Sequence, residues 1–156
     1  MVVLSRQNLP ILKGNGTPPA EGTRKGAYIL SREKGPRLDL ILMATGSEVQ
    51  LIRLAQDALA AANIAARVVS MPSWELFREQ PAEYRDAVLP PEVTARLAVE
   101  AGSSFGWREW TGDRGAVIAL DRFGASAPAG ELFKQFGFTV ETVVTMARKL
   151  VAAQCP

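Results

Sequence analysis

The chain has 156 residues, of which 47% are hydrophobic and 22% are charged, which is typical of one globular domain and excludes a disordered, collagenous or disulfide-rich protein. Eighteen basic against 16 acidic residues leave a net charge of +2, too balanced to indicate nucleic-acid binding. Because the chain contains no histidine, an imidazole base and a histidine-ligated metal site are both excluded for this chain acting alone.

The N-terminal segment divides into a short apolar stretch and a polar one. Residues 1–10, MVVLSRQNLP, predict a strand that ends in a polar turn at Pro10. Residues 13–26 hold four glycines, two adjacent prolines and scattered charges, which is typical of a linker. Since a lone strand has no sheet to join, we expect residues 1–12 to end a preceding domain, residues 13–26 to link, and residues 27–156 to form the next domain.

From Gly26 onward, apolar runs of strand length alternate with helical patterns. The predicted strands are 27–30, 38–44, 66–70, 95–100 and 116–120. The predicted helices are 47–62, 74–77, 82–88, 130–136 and 139–153. Strands that are almost continuously apolar are buried on both faces, so the pattern predicts an α/β fold. We expect a three-layer α/β/α sandwich with a mostly parallel, five-stranded sheet.

Cap residues mark the ends of the two long helices. Ser47 and Gln50 have the spacing of a capping box, and Asn63 suits a left-handed C-terminal position. Thr139 is the predicted N-cap of the last helix, with Glu141 in its positive first turn.

Gly46 and Ser47 lie between the second predicted strand and its helix. Ligands of parallel sheets bind at the carboxyl ends of strands, and a helix N-terminus attracts anions. The segment has one glycine rather than a phosphate-binding G-x-G-x-x-G pattern, and Glu48 already supplies a negative charge there. A purely structural turn and a small-anion site both fit Gly46 and Ser47.

Two acidic residues follow the next strands at the same predicted edge of the sheet. Glu75 and Glu100 have the residue type of an acid/base pair. No nucleophile, base or metal ligand stands beside them in the sequence. The favoured interpretation is therefore that Glu75 complements a helix N-terminus and Glu100 is an isolated charge.

Three further segments are candidates for contacts with other molecules. Residues 105–110 are rich in aromatic side chains, and residues 122–130 form a loop of small residues; an interface and packing within the domain both fit these two segments. Arg6 follows the first strand, where an arginine can hold a phosphate through two hydrogen bonds or form an ordinary salt bridge.

Six segments together resemble the C-terminal end of the transketolase family over essentially the whole chain. They are SRQNLP (5–10), ATGSEVQL (44–51), RVVSMPSWELF (67–77), VLPPEVTAR (88–96), VEAG (99–102) and DRFGASAPAGELFKQFGFTVETVV (121–144). One departure from the family's pattern is visible, because Trp110-Thr111-Gly112 stands where the family has an aromatic residue, valine and glycine.

The resemblance implies a three-domain homodimer that transfers a two-carbon ketol unit between sugar phosphates, in the pentose phosphate pathway or the Calvin cycle. It implies that the pyrophosphate and pyrimidine domains, which precede this stretch, bind thiamine diphosphate and Mg²⁺. This chain would then bind no cofactor or metal and would be inactive alone. Arg6 would contact the substrate phosphate at the end of the pyrimidine domain, and the C-terminal domain would support that domain and the dimer.

Two alternatives stay open. The chain could be a free-standing module that binds a small anion or nucleotide through the loops around Gly46 and Gly102. It could also be one subunit of a split transketolase. The chain has a single cysteine, and its longest apolar run, residues 38–44, is too short to span a membrane. Residues 1–4 lack the pattern of a signal peptide. These features predict a cytoplasmic protein without a membrane partner.

Overall fold

The computed structural model describes residues 7–12 and 19–154. Within these ranges a 3₁₀ helix covers Ala20–Lys25. The strands are β1 (Tyr28–Ser31), β2 (Leu40–Ala44), β3 (Ala66–Ser70), β4 (Arg96–Glu100) and β5 (Ala116–Ala119). The α-helices are α1 (Glu48–Ala61), α2 (Trp74–Arg78), α3 (Ala82–Val88), α4 (Arg108–Thr111), α5 (Ala129–Gln135) and α6 (Val140–Ala152).

The strands form one sheet in the order β1-β3-β2-β4-β5. All neighbouring pairs are parallel except β1 and β3, which are antiparallel. The predicted mostly parallel, five-stranded sheet is therefore confirmed. Ala44 at the end of β2 is paired with Ser70 of β3 and with Val99 of β4, so the loops that follow these strands meet at one edge.

Helices cover both faces of the sheet, which confirms the three-layer sandwich. Alternate residues of β2 point to opposite faces, as the two-residue period of a strand requires. Leu40 and Leu42 belong to a core packed against α1 and α6, whereas Ile41 and Met43 belong to a second core packed against α2, α3 and α4. Every residue of β2 is buried, so this strand lies between the two cores.

The caps are confirmed except at the start of α1. Thr139 accepts a hydrogen bond of 3.2 Å from the Thr142 backbone N–H, and Asn63 has a φ of 59°. The capping box of Ser47 and Gln50 is wrong. Ser47 has helical backbone angles instead of the extended ones of an N-cap, and its hydroxyl donates to the Glu48 carboxylate.

The segment before β1 packs closely on α2. Gly26 has a φ of 79°, and a Cβ on it would lie 2.3 Å from both the Ser73 carbonyl oxygen and the Phe77 nitrogen. The 3₁₀ helix before Gly26 falls inside the predicted linker, and the division at residues 12 and 26 stays a prediction. Among the described helices, none is long and apolar enough to cross a membrane.

Candidate functional site

The turn between β2 and α1 is built around Gly46. Its φ of 59° lies in the left-handed region, which glycine adopts without strain. A Cβ on Gly46 would have no atom of the described chain within 4 Å, so the backbone angle rather than close packing favours glycine here.

A cavity of about 170 Å³ lies beside Gly46 and Ser47. Its other lining residues are Leu9, Pro10, Leu12, Val49, Gln50 and Ser70. None of the lining residues that the structure describes has a basic side chain, and the volume is below the roughly 300 Å³ at which ligand pockets begin. The cavity shows that Leu9, Pro10 and Leu12 lie near the start of α1. The anion site at Gly46 and Ser47 stays a prediction.

Glu48 is a buried carboxylate that joins α1 to the end of β4. It is 3% exposed, and its Oε2 accepts a hydrogen bond of 3.2 Å from the Ala101 backbone N–H. Its Oε1 accepts the Ser47 hydroxyl, and burial raises the pKa of the Glu48 carboxyl. The sequence predicted Glu48 only as a charge in the first helical turn, and its hydrogen bond to the end of β4 was not predicted.

Glu100 ends β4 next to Glu48. Burial, together with the nearby Glu48 charge, raises the pKa of Glu100 to about 7, and the Trp107 side chain opposes part of this effect. The interpretation of Glu100 as an isolated charge is therefore wrong. The acidic pair at this edge is Glu48 and Glu100, because β2 and β4 are neighbours in the sheet.

Glu75 takes the structural role that the sequence favoured. It is exposed in the first turn of α2 and accepts a hydrogen bond of 3.1 Å from the Ser73 hydroxyl. Hydrogen bonds from its own backbone N–H and from Ser73 lower the pKa of the Glu75 carboxyl. Glu75 therefore stays ionised at the positive end of the helix.

The aromatic segment 105–110 divides between the core and the surface. Trp107 and Trp110 are 1% and 6% exposed and belong to the second core. Trp107 packs edge-on against Trp74, with ring centroids 5.1 Å apart. Phe105 is 88% exposed. Phe123, which lies in the loop of small residues, is 96% exposed. Packing within the domain thus explains the two tryptophans, whereas the interface alternative stays open for Phe105 and the loop 122–130.

Arg6 lies outside the described residues. The next residue, Gln7, lines a cavity of about 680 Å³ with Ala125, Ser126, Ala127, Ala129, Leu132 and Phe133. The described residues contain no group of three or more aspartate, glutamate, cysteine or histidine side chains that could hold a metal ion. With a pKa of about 7, the Glu100 carboxyl can hold or release a proton near neutral pH.

The chain is similar to transketolases in its sequence. A family model described as the transketolase-like TK C-terminal domain matches residues 26–139. The transketolase of Halalkalibacterium halodurans is 53% identical over 96% of this chain and 22% of its own length. The transketolase of Geobacillus stearothermophilus is 49% identical over the same shares. The chain thus spans about a fifth of the length of these curated relatives.

The fold agrees with this similarity. The transketolase of Pichia stipitis, solved in complex with sedoheptulose-7-phosphate, superposes with a TM-score of 0.83 and is 42% identical over 94% of this chain and 20% of that chain. The resemblance inferred from the sequence motifs is therefore confirmed. The match to the family model over residues 26–139 shows that the chain belongs to the family of transketolase-like C-terminal domains.

Proposed function

We propose that this chain is the C-terminal portion of a transketolase, a thiamine-diphosphate-dependent transferase that moves a ketol unit between sugar phosphates. The observation that carries the proposal is that transketolases match nearly the whole of this chain at about 50% sequence identity. The matched part is about one fifth of the length of those transketolases. Thiamine diphosphate and Mg²⁺ would be held by the pyrophosphate and pyrimidine domains of the full enzyme, in the cytoplasm.

In this proposal the chain is structural and supports the pyrimidine domain and the homodimer. Leu12 packs on the first core, and Leu9 and Pro10 lie by the start of α1, which gives the chain that precedes the domain a fixed point of attachment. Phe105 and Phe123 at the carboxyl edge are 88% and 96% exposed, so they offer apolar surface to another domain or subunit.

Arg6 is the proposed contact of this chain with the substrate phosphate. A guanidinium holds a phosphate through paired, charge-assisted hydrogen bonds, and the related Pichia stipitis enzyme binds a sugar phosphate. The residue that follows Arg6, Gln7, lies near α5.

The first test is the activity of the purified chain. We expect no ketol transfer from a ketose phosphate to an aldose phosphate when thiamine diphosphate and Mg²⁺ are supplied. Turnover by the pure chain would contradict the proposal. Restoration of turnover by a second polypeptide that carries the preceding domains would identify a split enzyme.

The second test is a chimera in which this chain replaces the matching C-terminal fifth of the Geobacillus stearothermophilus transketolase. We expect an active enzyme. In the chimera, Arg6→Ala should raise KM for a phosphorylated ketose by at least about tenfold, since a charge-assisted pair is lost. KM for a donor without a phosphate should not change. The matched control is Arg24→Ala, an exposed arginine of the 3₁₀ helix. An inactive but folded chimera, or equal effects on both donors, would count against the proposal.

A further inference from the structure

A cavity of about 570 Å³ lies at the amino ends of β4 and β5, between α3, α4 and the chain that leads into β4. Its volume is in the range of small-ligand sites. The residues that matter to its chemistry are Arg85, Asp86, Arg96, Trp110, Thr111 and Arg114.

Arg96 brings a partly buried positive charge to this cavity. Its guanidinium donates to the carbonyl oxygens of Val93 at 2.9 Å, Trp110 at 3.0 Å and Pro90 at 2.9 Å. It forms no ion pair with a carboxylate of the described residues, and burial lowers its pKa. Buried charges are normally compensated by an opposite charge. Here the carbonyl oxygens do so together with the nearby charges of Asp86 and Glu92, neither of which forms an ion pair with Arg96.

Two buried donors of the lining residues have no acceptor. The Trp110 indole Nε1 and the Arg85 Nε are both closed to solvent and bond to no atom of the described chain. Thr111 is 3% exposed, and its hydroxyl reaches only the Gly112 carbonyl at 3.5 Å, the limit of a hydrogen bond. An unpaired buried donor is costly, so the cluster calls for a group that only accepts hydrogen bonds.

The remaining charges of the lining also favour an anion. Glu109 is ion-paired with Arg78, and Asp113 is ion-paired with Arg108. Among the described residues that line the cavity, the arginines at 85, 96 and 114 form no ion pair, against one such carboxylate, Asp86. The lining itself holds three arginines and three carboxylates, and its surroundings are positive because Arg78 and Arg108 neutralise Glu109 and Asp113.

We propose that this cavity binds a phosphate group, with Arg85, Trp110 and Thr111 as hydrogen-bond donors and with Arg96 and Arg114 supplying charge. A phosphate presents acceptor oxygens on every side, which matches a lining of donors. The Thr111 hydroxyl is the departure from the aromatic-valine-glycine pattern of the family. Because the Trp110 N–H is closed to solvent, the side chains around it have to move for the ligand to reach it. The proposed function does not involve this cavity.

The test follows the indole N–H signals of the ¹⁵N-labelled chain during a titration with inorganic phosphate at constant ionic strength. The three tryptophans give separate signals, and Trp110→Phe identifies the one at the cavity. We expect a saturable shift of the Trp110 signal with phosphate and with ribose 5-phosphate, and none with chloride or ribose. A tighter apparent Kd for ribose 5-phosphate would assign a sugar phosphate as the ligand, whereas equal values would assign inorganic phosphate; both outcomes support the site.

Two variants separate this site from weak surface binding. Arg85→Gln and Thr111→Val should each weaken the apparent Kd about tenfold, since each removes a donor to a charged ligand. Arg148→Gln, which removes an exposed arginine of α6 on the other face of the sheet, is the control and should not change it. Absence of a saturable Trp110 shift overturns the proposal. The proposal is also overturned if both variants have the same apparent Kd as the native chain, or if unphosphorylated ribose shifts the Trp110 signal.

Discussion

Replacing Glu100 with glutamine tests the carboxyl pair at the end of β4. In the folded chain the pKa of Glu100 is about 7, because of burial and the neighbouring Glu48 charge, against 4.5 for a free side chain. Between these two pH values the folded state keeps a proton that the unfolded state releases. Rising pH therefore lowers the free energy of unfolding, and this loss is complete above pH 7.

The size of the effect follows from the shift. A change from 4.5 to about 7 corresponds to roughly 3 kcal/mol at full strength, at about 1.4 kcal/mol for each pKa unit. Glu100 is only partly buried, and solvent screening reduces this to about 1–2 kcal/mol. Glutamine has a similar shape but does not ionise, so Glu100→Gln should be more stable than the native chain by about 1–2 kcal/mol at pH 8. At pH 4 the two should be nearly equal.

The assay is urea unfolding followed by tryptophan fluorescence at several pH values between 4 and 8. The control is Glu79→Gln, which removes an exposed carboxylate near the end of α2 and should leave the pH dependence of the native chain in place. A stability difference for Glu100→Gln that does not change with pH would refute the reasoning. So would a loss of stability at pH 8, because it would mean that the folded chain stabilises the ionised carboxylate.

Three further substitutions test the fold. Leu42→Ala opens a cavity in the first core, where Leu42 is 0% exposed, and should lower the free energy of unfolding in urea by about 2–5 kcal/mol; a loss below about 1 kcal/mol would show that the core collapses around it. Thr139→Ala removes the cap of α6 and should cost about 1 kcal/mol, whereas the exposed Thr145→Ala should cost much less; equal losses would argue against the cap. Gly26→Ala puts a Cβ 2.3 Å from the α2 backbone at a positive φ, so its Tm should fall by several degrees, and an unchanged Tm would contradict that contact.

Neither the proposed phosphate cavity nor the Glu48–Glu100 pair could be predicted from the sequence. Glu48 and Glu100 meet because β4 lies next to β2, and the order of strands in a sheet is not encoded in local periodicity. Arg85 and Trp110 come from α3 and from α4, a four-residue helix too short to show a periodic apolar face. At Ser47 the local signal was wrong, since Ser47 has helical backbone angles and its hydroxyl donates to the carboxylate of Glu48, which also accepts a hydrogen bond from the Ala101 N–H after β4.

The sequence by itself determined the five strands, both long helices and the family. Strands buried on both faces are almost continuously apolar, as at 40–44, and a helix packed on one face repeats its apolar residues every three or four positions, as in 140–152. Only the tertiary structure decided which charges and donors share a cavity or an edge of the sheet. Those neighbours are set by the packing of segments far apart in the chain, and the pKa of a carboxyl or the lack of an acceptor depends on that packing rather than on residue type.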